Sequence, residues 1–128
     1  MNYKNFVETL TSEPSKDVEV FIERLKELDD TLNAALLATS GLGLASESGE
    51  YAEIVKKMLF QGKAPSEENI FHMKRELGDI LFYFTLACIL LHTDINEIEE
   101  MNRDKLAARY AELTFSIDNS ENRKPGDV

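Results

Sequence analysis

A chain of 128 residues, 43% hydrophobic and 30% charged, has room for one domain with a genuine core and the composition of a folded, soluble protein. Its 14 basic residues against 24 acidic ones give a net charge of −10, which excludes non-specific adhesion to nucleic acid or to an anionic membrane. Only three prolines and six glycines favour helices over a turn-rich β-architecture, so the expected fold is all-α, an antiparallel helical bundle.

In chain order, "YKNFVETL" predicts a short amphipathic helix ending near "TSEPS". Ser15 is the expected N-cap of a helix carrying Val18, Phe21, Leu25, Leu28 and Leu32 at three- and four-residue steps. Asp29 and Asp30 either interrupt that helix or cap the next, which is expected over Thr31 to Phe60. "QGKAPS" is a break, with Ser66 as N-cap of a third long helix from Glu67 to Leu91. Thr93 or Asp94 caps a fourth, expected to reach about Leu113. Residues 1–115 are taken as a single domain and residues 116–128 as a polar, flexible tail. Cys88, the one cysteine, lies in an apolar run and reads as a structural thiol in a reducing compartment. The apolar run 80–91 is too short to span a bilayer, and the N-terminus has no basic-then-apolar signal pattern. The expected location is cytoplasmic.

Two phrases within the long helices match each other: "ESGE" at 47–50 and "ELGD" at 76–79. Each places a glycine inside a helix, at about 1 kcal/mol relative to alanine. At about 1.5 Å per residue, Glu50 lies about 15 Å before the end of its helix and Glu76 about 14 Å into the next. Glu47 and Asp79, at about 20 and 18 Å, match in the same way. Within each phrase the acids are three apart and share a face, so an antiparallel hairpin brings four carboxylates to one spot. After Asp79 come twelve residues of which only Thr85 is plainly polar, so that half of the helix is expected to be buried. Acids beside a core repel one another unless a cation neutralises them. An all-carboxylate set without cysteine or suitably spaced histidine suits Mg²⁺, with Mn²⁺ as the alternative. The phrase glycines are expected to let the two helices approach closely. A single i,i+3 acid pair is usually a solvated face; two pairs at matched height are a more specific signal.

In the fourth helix Asn102, Lys105 and Arg109 stand at i, i+3 and i+7. They either hold a phosphate chain bound to the metal or snorkel and pair with surface acids; spacing leaves both open. Phe82, Tyr83 and Phe84 read as core or subunit interface, and Lys57 as a surface ion-pair partner. His72 and His92 are not in the ExxH pattern of di-iron bundles.

"GLASESGEYAEIVKK", "ELGDILFY" and "NRDKLAARY" together resemble the MazG-like all-α nucleoside triphosphate pyrophosphatases, over roughly residues 30–110. The pattern is ExxE, a spacer (here 51–75), ExxD and then a basic helix. The resemblance implies an Mg²⁺-dependent enzyme that cleaves the α–β phosphoanhydride of nucleoside triphosphates to monophosphate and pyrophosphate. It matches Glu47, Glu50, Glu76 and Asp79 to metal ligands and catalytic residues, and Lys105 and Arg109, with Asn102 beside them, to phosphate-binding residues. It also implies a homodimer or homotetramer. Two departures stand out: Ser46 occupies a position where many relatives carry another acid, and His72 one where some carry a basic residue. Rival readings are a narrow-specificity sister enzyme (a dUTPase, a dCTP pyrophosphatase or a phosphoribosyl-ATP pyrophosphohydrolase) and a non-catalytic helical nucleotide-binding or regulatory module.

Overall fold

The computed structural model describes residues 1–110 and 114–122, and every regular element among them is helical. The α-helices are α1 (Tyr3–Leu10), α2 (Val18–Asp29), α3 (Ala34–Phe60), α4 (Glu67–Leu90), α5 (Ile95–Arg109) and α6 (Ile117–Glu121), with a 3₁₀ turn at Glu13–Ser15. They form two compact units, Met1–Leu91 and His92–Val128. No single helix among the described residues is long and apolar enough to cross a membrane.

Side-chain caps set the helix starts. Asp17, not Ser15, caps α2 by accepting from the N–H groups of Glu19 (2.8 Å) and Val20 (3.3 Å). Ser15 is taken up in the 3₁₀ turn just before it. Asp29 ends α2 and also accepts from the first N–H of α3, that of Ala34, at 2.9 Å, while Asn33 accepts from Leu36 N–H at 2.7 Å. Ser66 caps α4 as expected, and Asp94 rather than Thr93 caps α5 through the N–H groups of Asn96 and Glu97. These caps satisfy amide donors that have no partner inside the helix. α5 stops at Arg109; Leu113 lies outside the described residues. Inside the segment expected to be a tail, Ile117–Glu121 forms a short helix capped by Ser116.

The first unit is organised by the α3–α4 hairpin, against which α2 packs on α3. A side chain on Gly43 would collide with Tyr83, its Cβ falling 2.2 Å from the ring carbon Cδ1, so the ring rests directly on the α3 backbone there. Seven residues forward along α3 is Glu50; seven back along α4 is Glu76. The two helices are therefore antiparallel, in a register fixed by the glycine contact. Gly49 and Gly78, the phrase glycines, would place a Cβ in open space. The close approach expected of them belongs to Gly43 instead.

Burial corrects a second expectation. Of the apolar half of α4, only Cys88 and Leu90 are buried, whereas Leu81, Phe82 and Ile89 are exposed at 52%, 59% and 58%. Ala34 and Ile54 complete the buried apolar set among the described residues. No described element of the first unit covers those three exposed side chains.

Candidate metal centre

Register brings Glu47, Glu50 and Glu76 together, each offering an oxygen within 4.8 Å of the others. Glu47 and Glu50 lie one turn apart on α3 and Glu76 faces them from α4. Ile54, buried one turn beyond Glu50, anchors this stretch of α3. Glu76 is 6% exposed, Glu47 half-buried and Glu50 exposed, so the group runs from the hairpin interior to solvent. The Nε2 of His72, one turn before Glu76, lies 3.2 Å from its Oε1.

Electrostatics mark the same spot. Partial removal from water pushes the Glu47 carboxyl above its usual range, and the charges of Glu50, Asp79 and Glu76 push it in the same direction. Asp79 is exposed, close enough to act on Glu47 but outside the three-oxygen group. Three of the four predicted carboxylates thus converge on one point, and the fourth stands beside them.

An all-oxygen, all-anionic donor set fits a hard divalent cation such as Mg²⁺ or Mn²⁺, and supplies none of the nitrogen or sulfur that zinc prefers. Separations under 4.8 Å are close to the span of two oxygens on opposite sides of such an ion, about 4 Å, so small side-chain rotations suffice.

Asn102, Lys105 and Arg109 all fall on α5, within the second unit, Asn102 and Lys105 exposed and Arg109 half-buried. Sequence reasoning gave His72 no role and passed over Lys63, yet both line a cleft of about 290 Å³ together with Glu50, Glu53, Ile54, Lys57 and Glu76. The signal for Lys63 was the glycine before it. Gly62, at φ 69°, turns the chain back so that Lys63 N–H donates to the Lys57 carbonyl at 3.1 Å.

The hairpin thus carries, between two long helices, a carboxylate cluster whose chemistry suits a divalent ion. Residues 35–114, more than half of the chain, match the MazG nucleotide pyrophosphohydrolase domain, and the protein belongs to that family. Neither the curated proteins nor the solved structures yield a match to the chain.

Proposed function

We propose that the protein is a Mg²⁺-dependent nucleotide pyrophosphohydrolase that cleaves the α–β phosphoanhydride of (d)NTPs to (d)NMP and pyrophosphate. The observation that carries this reading is the convergence of the Glu47, Glu50 and Glu76 oxygens within 4.8 Å, in a chain of the pyrophosphohydrolase family. Glu47, Glu50 and Glu76 hold the cation, with Asp79 at the edge of the site. When bound, the cation neutralises charge on the phosphate oxygens and lowers the pKa of a coordinated water.

The chain's own residues do the rest. Glu76, buried and fixed by helix register, sets the position of the site relative to both helices. One carboxylate of the group accepts the proton of the attacking water. Lys105 and Arg109, with Asn102, bind the phosphate chain and stabilise charge on the departing pyrophosphate. The apolar surface of α4, exposed in one copy, is covered by further copies in a homodimer or homotetramer. The protein acts on free nucleotides, without nucleic acid or membrane as partner.

Glu50→Gln and Glu76→Gln test the reading. Each removes a negative charge while keeping the shape, and each abolishes hydrolysis with helical circular dichroism retained. Full turnover by both folded variants would overturn the site.

A further inference from the structure

The cleft that begins at Glu50 and Glu76 extends to the last turn of α3 and the α3–α4 connection, where its lining changes sign. Glu50, Glu53 and Glu76 line it together with Lys57 and Lys63, and His72 stands against Glu76. We propose that this cleft is a phosphate subsite adjoining the carboxylate group, with Lys57 and Lys63 as the cations that take the end of a pyrophosphate or polyphosphate chain. The proposal rests on the metal-site reading above and adds a binding role for two residues of the α3–α4 hairpin itself.

Three features carry it. First, Lys57 lies two turns past Glu50, about 10 Å along the helix, within reach of a phosphate chain anchored at the carboxylates. Second, the backbone is built to bring Lys63 back to Lys57. Gly62 adopts the left-handed conformation that glycine takes without strain, and Lys63 N–H closes onto the Lys57 carbonyl. An extended continuation of the chain would carry Lys63 away from the cleft. Third, the two ammonium groups differ in commitment. Lys57 pairs with Glu53 at 3.2 Å, which holds it beside the cleft, whereas the Lys63 ammonium forms no ion pair with any described residue. A half-buried lysine that lines the cleft beside the carboxylates, with no ion pair among the described residues, is placed to receive an anion.

Charge balance explains why the subsite depends on its neighbour. Three carboxylates line the cleft against two lysines, so it repels a bare polyphosphate. One divalent cation at the carboxylates reverses that balance. Lys63 is then the stronger contributor, since Lys57 already shares its charge with Glu53.

Calorimetric titration of inorganic pyrophosphate into the full-length protein, with Mg²⁺ and with EDTA, tests this. Expected is Mg²⁺-dependent binding that weakens about tenfold in Lys63→Ala, less in Lys57→Ala and little in Lys63→Arg. Lys56→Ala, outside the cleft, serves as control, and Mn²⁺ affinity followed by electron paramagnetic resonance stays unchanged in Lys63→Ala. Unaltered pyrophosphate binding in the Lys57→Ala/Lys63→Ala double variant would overturn the subsite and leave the metal site standing. Absence of pyrophosphate binding to the wild type with Mg²⁺ would also overturn it. Binding that needs the lysines but is as strong in EDTA as in Mg²⁺ would overturn the proposal that the subsite works together with a carboxylate-held cation.

Discussion

The ring of Tyr83 occupies the space that a side chain on Gly43 would need, with three ring carbons within 2.5 Å of the position of a Cβ. This contact sets the α3–α4 register, and two helical turns away the register aligns Glu50 with Glu76. Gly43→Ala therefore forces the root of the Tyr83 ring, or the helices, apart. It should destabilise the protein by roughly 1–3 kcal/mol, as overpacking does, and weaken divalent-ion binding as well. Gly49→Ala meets open space and gains helix propensity, so it should stabilise by up to about 1 kcal/mol. Thermal or urea unfolding of the two variants side by side checks the contrast.

The carboxylates are not equivalent. Glu76 is buried within the three-oxygen group and Asp79 is exposed beside it. Because affinity for a hard cation follows the charge and number of its ligands, Glu76→Gln should weaken Mn²⁺ binding by at least about tenfold, and Asp79→Asn by less. Titration of each variant followed by electron paramagnetic resonance gives the ranking.

Stability should depend on pH in a direction fixed by Glu47. Its pKa in the folded chain is raised above 4.5 by partial burial and by its acidic neighbours, so the folded state holds that proton more tightly than the unfolded state. In EDTA, the contribution from Glu47 is present at low pH and is lost as pH rises from 4.5 through the raised value. Glu47→Gln should flatten that part of the melting temperature–pH curve. Mg²⁺ should raise the melting temperature most above that range, where Glu47 is ionised.

The hairpin, its turn at "QGKAPS" and the Ser66 cap were legible because hydrophobic spacing and cap chemistry are local. So was the matched height of Glu50 and Glu76, since helix rise and one short turn fix it. The surface that a helix face meets is not local. Periodicity places Gly43, Gly49 and Gly78 on α3 and α4 but does not say which of them turns towards the partner helix, and the answer was Gly43. Likewise Ser15 and Asp17 are equally good capping side chains, and only the preceding 3₁₀ turn decides between them. Composition makes the apolar half of α4 a core segment, yet no described element of the same unit covers Leu81, Phe82 and Ile89.

That uncovered surface gives a further expectation. If copies of the chain cover it, sedimentation at micromolar concentration should show a dimer or tetramer. Phe82→Asp should shift the distribution to monomer and lower the melting temperature. A wild type that sediments as a stable monomer would contradict the proposed assembly.

Product analysis of a nucleotide panel decides whether the protein is a pyrophosphohydrolase. Each common NTP and dNTP is incubated with the purified protein in Mg²⁺ and in EDTA, and the products are separated chromatographically. Expected are monophosphate and pyrophosphate in Mg²⁺ and neither in EDTA. Orthophosphate with diphosphate, or the same products in EDTA as in Mg²⁺, would contradict that function.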